Sequence, residues 1–147
     1  MRHAWKRAGI DPTELGFIEL HGSGTQLGDS IEIGGLNQAF AGFTNEKAVC
    51  PVSTIKANIG HTRCVAGLAG FVKAVLTLKH EVIYPAYYTG TPSPLIDFTN
   101  AKVYINQEAI SWEANDEKPR YAAVSSIGFS GTNCHIVLQE APQEEAI

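Results

Sequence analysis

The sequence predicts an α/β fold in which helices pack in layers against a sheet. Short apolar runs at 17–20 and 52–55 are typical of buried strands, and each is followed by a glycine-containing loop and a helical pattern. Two further strands are predicted at 122–127 and 135–139, joined by a tight turn. Strands that alternate with helices and then end in a hairpin indicate an α/β layer.

The first two helices are predicted from their end signals. A helix over residues 3–8 is expected to end at Gly9, because glycine readily adopts the left-handed conformation that closes helices. A second helix is predicted to begin at Asp29 as its N-cap, with Glu32 completing a capping box. Its apolar residues are Ile31, Ile33, Leu36 and Phe40.

The strongest helical pattern covers residues 63–80. Its regularly spaced positions are Val65, Leu68, Ala69, Val72, Val75, Leu76 and Lys79. The first half of this helix is rich in alanine and glycine, which let a helix axis approach its neighbour closely, so we expect it to be buried centrally. Residues 84–100, rich in proline, tyrosine and threonine, predict a long irregular surface loop.

Length and composition restrict the classes of function. The 147 residues suit one domain, which we place at 1–142, before an acidic tail at 143–147 that is predicted to be disordered. With a net charge of −4, the chain lacks the basic character of a nucleic-acid binder. Its apolar runs are too short for a membrane-spanning helix, and its widely spaced cysteines predict a reduced, cytoplasmic protein.

Two histidines occupy equivalent positions in the predicted fold. His21 follows the first strand and His61 follows the second. Because ligands of open α/β sheets bind beyond the carboxyl ends of strands, the two are predicted to converge on one pocket. Lys56 is expected to lie partly buried near them and, as a like charge, to favour neutral imidazoles. The competing interpretation is that each histidine only caps or packs and that the lysine is solvated.

Two glycine-containing loops are further candidates for ligand binding. The GSGT loop after His21 lacks a complete phosphate-binding pattern, which leaves a nucleotide-binding domain as a distant alternative. Ser23 and Thr25 are better suited to bonding the amides of an extended ligand. In GFSGTN, glycines on both sides of Phe129 permit close approach of backbone N–H groups to a ligand, although a simple hairpin turn would explain this motif alone.

The cysteines and histidines give little sign of a nucleophile or a metal site. Only Cys64, near the start of the predicted helix at 63–80, has surroundings that would stabilise a thiolate. Cys50 is assigned to a loop and Cys134 to a strand. The histidines are too far apart in sequence to form a recognised metal-binding motif, so no metal is expected.

Three blocks of the chain resemble the β-ketoacyl synthases. They are, in order, ELHGSGTQLGDSIEI, STIKANIGHTRCVAGLAGFVKAVLTLKH and AVSSIGFSGTNCHIVLQEAP. More narrowly, they resemble the C-terminal half of the ketosynthase domain of polyketide synthases, and the resemblance covers nearly the whole chain. It implies the C-terminal half of a thiolase-like fold, with a mixed sheet and a buried central helix in a layered α/β arrangement.

The resemblance also implies a decarboxylative Claisen condensation. In the family a cysteine of the N-terminal half, absent from this chain, holds the acyl group, and a malonyl-type extender arrives on the 4'-phosphopantetheine of an acyl carrier protein. His21 and His61 are then expected to support decarboxylation and to bind the thioester oxygen, with Lys56 orienting or tuning the site. The chain is expected to bind no cofactor of its own, and Cys64 aligns with a small structural residue.

Further site residues follow from the same resemblance. Ser23 and Thr25 are expected to contact the pantetheine arm, and Phe129 to act as a gate whose backbone N–H joins the oxyanion hole of the acyl-enzyme. The oxyanion and gating loop comprises Gly128, Phe129, Ser130 and Gly131. The chain departs from the usual pattern at Ser23, Ser30 and Arg63, which replace a threonine, a proline at the first helical position and an acidic residue.

The leading hypothesis is therefore an acyltransferase, the C-terminal part of a polyketide-type β-ketoacyl synthase, incomplete and inactive without its N-terminal half. Expected partners are that half, an acyl carrier protein and a second ketosynthase in a homodimer, with neither nucleic acid nor membrane. Met1 falls within what would be a continuous domain, which favours a fragment or a split enzyme. The alternative is a non-catalytic module that binds a carrier protein or a companion subunit. In either case the apolar face that meets the missing half is expected to be exposed.

Overall fold

The structure, a computed structural model, describes residues 1–87, 90–113 and 118–142. Its helices are α1 (Arg2–Ala8), α2 (Gln26–Phe40), α3 (Lys56–Ile59) and α4 (Ala66–His80). Its strands are β1 (Leu15–Glu19), β2 (Cys50–Ser53), β3 (Val82–Ile83), β4 (Val103–Ile105), β5 (Ile110–Ser111), β6 (Tyr121–Ile127) and β7 (Asn133–Gln139). Short 3-10 turns at Pro12–Glu14 and Arg63–Val65 precede β1 and α4.

Five strands form one mixed sheet in the order β4-β2-β1-β6-β7. Strand β1 runs parallel to β2 and β6, and β2 runs parallel to β4, whereas β7 is antiparallel to β6. Strands β3 and β5 pair separately as a small antiparallel ribbon. Because β1 and β2 are parallel neighbours, the loops that follow them begin at the same edge of the sheet. The predicted mixed α/β sheet is confirmed.

Helices cover both faces of this sheet, because side chains alternate along the central strand β1. Ile18 packs in one core with Trp5 of α1 and Leu36 of α2. The preceding residue, Phe17, packs on the other face with Ala74 of α4. The result is three layers, and the predicted layered arrangement is confirmed.

Most of the predicted elements are present, with shifted ends. Helix α1 ends at Gly9, whose φ of 70° is left-handed, and the described part of 84–100 contains neither helix nor strand. Strands β3, β4 and β5 were not predicted, because two or three residues are too few to show a period. The predicted tail at 143–147 lies outside the described residues. Among the residues described, no helix is long and apolar enough to cross a membrane.

Helix α2 begins earlier than predicted. Gln26 is its first residue, and the hydroxyl of the N-cap residue Thr25 accepts a hydrogen bond from the Gly28 N–H at 3.2 Å. The predicted capping box of Asp29 and Glu32 is therefore wrong, because a threonine one turn earlier already caps the helix. Both carboxylates turn back to the preceding loop instead.

Ser30 and Arg63 are two residues at which the sequence departs from the family pattern. Ser30 lies inside α2 and not at its first position, and its hydroxyl donates to the Leu27 carbonyl at 2.8 Å. Arg63 lies in the 3-10 turn before α4 with a left-handed φ of 54°. Cys50, assigned to a loop from the sequence, is buried in β2.

Helix α4 buries a face of small residues and exposes a face of large ones. At Gly67, an added Cβ would lie 2.7 Å from the Ser126 hydroxyl, so the helix lies close against β6. The large residues of the stripe that was predicted to be buried are instead exposed, with 39% to 61% of their area accessible to solvent. They are Val65, Leu68, Val72, Val75 and Leu76. On α2, Ile31 is likewise 64% exposed. The sheet packs against the small residues and Leu78, so part of the predicted central burial is missing in this chain.

Candidate active site

The two predicted histidines meet at one edge of the sheet. His21 comes two residues after the end of β1, and His61 comes after α3, the single helical turn that follows β2. Their ring centroids are 5.7 Å apart with an interplanar angle of 78°. The predicted convergence is confirmed for the positions of the two rings.

Both rings accept a backbone hydrogen bond at Nδ1. The Ile127 N–H donates to Nδ1 of His21 at 3.3 Å, and the Arg63 N–H donates to Nδ1 of His61 at 3.0 Å. An imidazole nitrogen that accepts a hydrogen bond carries no proton, so each neutral ring holds its proton on Nε2. The site therefore offers two Nε2–H donors, one from each histidine.

The charge around His21 favours its neutral form. Burial lowers the pKa of His21, the charge of Lys56 lowers it further and the neighbouring His61 acts in the same direction, while Asp29 opposes them. Lys56 donates its ammonium to the His21 carbonyl. Burial also lowers the pKa of Lys56, which the carboxylates of Glu19, Glu32 and Asp29 hold up. Lys56 thus lies partly buried beside His21, as predicted, and its role in the chemistry stays a prediction.

The carboxylates of Glu32 and Asp29 in α2 hold the His21 loop in place by accepting hydrogen bonds. The sequence had predicted a capping box for these two residues. The two oxygens of Glu32 accept hydrogen bonds from the N–H groups of His21 at 2.8 Å and Gly22 at 2.9 Å. Asp29 accepts from the Gly24 N–H at 3.2 Å. Burial raises the pKa of Glu32, and the two N–H groups oppose that rise. Glu32, which is only 3% exposed, therefore binds the loop and does not cap the helix.

Ser23 and Thr25 lie in the same loop but are already engaged with each other. Their hydroxyl oxygens are 2.9 Å apart, and Thr25 also caps α2. The Thr25 side chain is exposed and that of Ser23 is half-buried. Their contact with a pantetheine arm stays a prediction.

The GFSGTN motif forms the tight turn of the β6–β7 hairpin. The Gly128 N–H donates to the Thr132 carbonyl at 2.9 Å, and Gly131 closes the turn with a left-handed φ of 82°. Phe129 is fully exposed at the tip. The turn joins the site through Ile127, whose N–H binds His21. The gating and oxyanion roles of this loop stay predictions.

The three cysteines lie in different settings. Cys50 is buried in β2, and burial raises the pKa of its thiol so that it stays protonated. Cys64 and Cys134 are exposed, in the 3-10 turn before α4 and in β7 respectively. In the ranges that the structure describes, no group of three histidine, cysteine or carboxylate residues could hold a metal ion.

A second buried glutamate beneath the histidines was also missed. Glu19, the last residue of β1, is fully buried and forms an ion pair with Lys73 of α4 at 2.8 Å. The available signal was a charged residue inside the apolar stretch FIEL, directly before His21. Such a residue in a buried strand needs a partner from another element.

Two family models match nearly the whole chain. Residues 1–88 match the β-ketoacyl synthase C-terminal domain, and residues 92–147 match the ketoacyl-synthetase C-terminal extension. Polyketide synthase PksL of Bacillus subtilis (strain 168) is 40% identical over 144 residues, which are 98% of this chain and 3% of that protein. Erythronolide synthase EryA3 of Saccharopolyspora erythraea is 39% identical over 145 residues, 99% of this chain and 4% of that protein.

Solved ketosynthases share the fold. The ketosynthase from module 6 of the bacillaene synthase of Bacillus subtilis 168 matches with a TM-score of 0.90 and 40% identity, over 96% of this chain and 25% of that one. The oxazolomycin ketosynthase domain OzmH KS7 of Streptomyces albus JA3453 matches with a TM-score of 0.88 and 34% identity, over 99% and 25%. The chain spans a small part of these relatives and has the predicted thiolase-like fold. It therefore belongs to the β-ketoacyl synthase family and corresponds to the C-terminal part of a polyketide synthase ketosynthase domain.

Proposed function

We propose that this chain supplies the decarboxylating side of a ketosynthase active site. The observation that carries the proposal is the pair of rings of His21 and His61, 5.7 Å apart, each with a backbone N–H on Nδ1. Two neutral imidazoles so arranged offer two Nε2–H donors to a single oxygen. Donors of this kind stabilise an oxyanion that develops during a reaction.

Loss of CO₂ from a malonyl thioester creates such an oxyanion. The bond between the α-carbon and the carboxylate breaks, and its electron pair forms an enolate whose charge lies on the thioester oxygen. Each preorganised donor contributes about 3 kcal/mol in a water-excluded site. The α-carbon then attacks the acyl thioester on a cysteine of the N-terminal half; a carbon–carbon bond forms and the thiolate leaves. Burial and then the charge of Lys56 lower the pKa of His21, which favours the neutral ring in which Nδ1 is an acceptor.

The exposed face of α4 supports the need for a second half. A groove of about 920 Å³ lies beside His61. Its lining includes Ile59, Thr62, Val65 and Leu68. Exposed apolar groups of this extent are unusual on a monomer and typical of an interface. In this proposal the N-terminal half covers the groove and brings the cysteine nucleophile, and this chain alone is inactive.

The extender would reach the histidines on the 4'-phosphopantetheine of an acyl carrier protein. Ser23 and Thr25, at the exposed end of the His21 loop, are the residues that we assign to the arm. The exposed Phe129 would act as the gate, with Gly128, Ser130 and Gly131 forming its loop. The complete enzyme would work as a cytoplasmic ketosynthase dimer.

The test combines this chain with a matching N-terminal half, and we call this combination the complete ketosynthase. The measured quantity is CO₂ release from malonyl-carrier protein. We expect release only from the combination, and a fall of about 100- to 1,000-fold for His21→Ala or His61→Ala. His3→Ala, at an exposed position of α1, is the matched control and should leave the rate unchanged. Unchanged release in either site variant would contradict the proposal.

The exposed α4 face favours one other function, a non-catalytic module that binds a carrier protein or a companion subunit through this face. The same experiment separates the two. A stable complex that releases no CO₂ would support the binding module, whereas CO₂ release that depends on His21 and His61 supports the enzyme.

A further inference from the structure

A buried carboxyl group lies at the end of β1, two residues before His21, and takes no part in the chemistry proposed above. Glu19 has no exposed area although it carries a carboxyl group. Burial raises its pKa, and the ammonium of Lys73 is the strongest influence opposing that rise. A buried carboxylate is costly unless its oxygens find partners, so its partners indicate what it does.

One oxygen of Glu19 belongs to a closed polar cluster between the sheet and α4. Its Oε2 lies 2.8 Å from the Lys73 ammonium, which also donates to the Ser53 hydroxyl at 2.5 Å. The same ammonium lies 5.4 Å from the centre of the Phe17 ring. These contacts satisfy the ion pair within the layers of the fold.

The other oxygen reaches the segment that carries the second histidine. Its Oε1 accepts a hydrogen bond from the Ile55 N–H at 2.5 Å. Ile55 is the N-cap residue of α3, which begins with Lys56 and ends one residue before Gly60 and His61. Glu19 is itself only two residues before His21 in the chain. One carboxylate therefore links both histidine-bearing segments.

Helix α4 is shaped to leave room for this carboxylate. A Cβ added at Gly70 would lie 3.0 Å from Cγ of Glu19 and 3.6 Å from Oε1. A larger residue would press on the side chain that binds Ile55. This close approach is a second, independent sign that the site is built around Glu19.

We propose that Glu19 is a positioning residue that holds the His21 and His61 segments at their working separation through its hydrogen bond to the Ile55 N–H. This inference rests on the proposed function, in which both rings bind one oxygen. A shift of about 1 Å between the two donors lowers the rate by on the order of 100-fold, so loss of this link should reduce kcat. KM for malonyl-carrier protein should change less than kcat, because Ser23 and Thr25, which we assign to the pantetheine arm, bond each other and the start of α2 and not Glu19.

The first test uses the complete ketosynthase and two double variants that differ only in the hydrogen-bond acceptor. Glu19→Gln with Lys73→Met removes both charges but keeps an amide oxygen for the Ile55 N–H, and its NH₂ can donate to Ser53. Glu19→Leu with Lys73→Met removes the acceptor as well. We expect the glutamine variant to keep kcat within about threefold and the leucine variant to lose about tenfold or more.

A second pair of variants leaves Glu19 and Lys73 intact. Ile55 has a φ of −64°, which proline also adopts, so Ile55→Pro removes the N–H donor at a compatible backbone position. Ile55→Val keeps the donor and is the matched control. The proline variant should lose kcat and the valine variant should retain it, which keeps the inference testable if the leucine variant does not fold.

Crystal structures of the same variants measure positioning without turnover. The separation of 5.7 Å between the ring centroids of His21 and His61 should persist in the glutamine and valine variants and change in the leucine and proline variants. If the wild-type enzyme releases no CO₂, the proposed function fails, and this distance alone decides the positioning role. Equal kcat and unchanged distance in all four variants, or equal losses in both double variants, would overturn the inference.

Discussion

The two histidine loops are built differently although their rings meet. The His21 loop is fastened from within the chain by Glu32, which binds two of its N–H groups, and by Lys56, which binds its carbonyl. The His61 ring is exposed, and the hydrogen bond to its Nδ1 comes from Arg63, only two residues further along. The first loop is held by distant elements and the second mainly by its own turn.

Under the proposed function, this difference separates the part of the site that this chain holds by itself from the part that the N-terminal half would complete. The segment around His61 borders the apolar groove lined by Ile59, Thr62 and Val65. A half that covers this groove would also hold His61, whereas His21 needs no such help. Backbone strain also lies on the His61 side, because Arg63, two residues after His61, has a left-handed φ of 54°.

The largest expected effect comes from removing the Glu32 carboxylate, which holds the His21 loop in place. In Glu32→Ala, the N–H groups of His21 and Gly22 lose their acceptor. Each unsatisfied buried donor costs about 1–3 kcal/mol, so the free energy of unfolding of the complete ketosynthase should fall by about 2–6 kcal/mol. CO₂ release should fall by on the order of 100-fold because His21 moves. Denaturant unfolding and the release assay measure both effects.

Glu46→Ala is the control for that experiment, because Glu46 is an exposed glutamate outside the site. It should change neither the unfolding free energy nor the rate. A loss of less than about 1 kcal/mol in Glu32→Ala would mean that water replaces the carboxylate, and the contrast between the loops would not hold.

A smaller effect distinguishes the glycines that precede or follow each histidine. At Gly22, φ is 46° and an added Cβ would lie 2.7 Å from Cβ of Thr54; at Gly60, φ is 75° with no atom within 4 Å. Backbone strain costs about 1–3 kcal/mol at either position, towards the upper end at Gly60, whose ψ of 179° lies in a region that is essentially restricted to glycine, and the clash adds about 1–3 kcal/mol at Gly22. Thermal unfolding should therefore rank Gly22→Ala below Gly60→Ala in stability.

Gly34→Ala is the matched control for the two glycine variants, because Gly34 lies inside α2 with open space around it and without a positive φ. It should be neutral or stabilising by about 0.5–1 kcal/mol. Equal losses at Gly22 and Gly60 would show that the two loops are equally constrained.

The smallest effect is electrostatic and concerns Lys56→Met. The lysine lowers the pKa of His21 by like-charge repulsion, so its removal should raise that pKa. His21 is then protonated at a higher pH, and the acid limb of the pH–rate profile for CO₂ release moves to higher pH. Lys6→Met, on the exposed side of α1, is the control. A shift to lower pH, or none, would show that the lysine does not set the charge of His21.

The sequence was sufficient to predict that the two histidines and the lysine lie close together, because each follows a strand at the same edge of a parallel sheet. It was not sufficient for the carboxylates. Asp29 with Glu32 and Thr25 alone are both acceptable helix starts, and only the position of the loop decides between them. Glu19 stands out locally as a charge within FIEL, but the sequence does not show what it binds, because its partners Lys73 and Ile55 are distant in the chain.

The exposed face of α4 marks a different limit of prediction. Helical periodicity shows that Leu68, Val72 and Leu76 lie on one apolar face, but it does not show what covers that face. The small residues of the opposite face fit the sheet of this chain, and the large residues lack such a surface within the described ranges. The fold class could therefore be predicted, whereas the extent of burial could not.

The central claim is that His21 and His61 work as a pair of neutral Nε2–H donors. The most direct measurement is the ¹⁵N NMR spectrum of histidine-labelled complete ketosynthase at neutral pH, with His21→Gln and His61→Gln used to assign the signals. We predict an unprotonated Nδ1 and a protonated Nε2 for both rings, since each Nδ1 accepts a backbone N–H. A proton on Nδ1 of either ring, as the other tautomer or as imidazolium, would contradict the account.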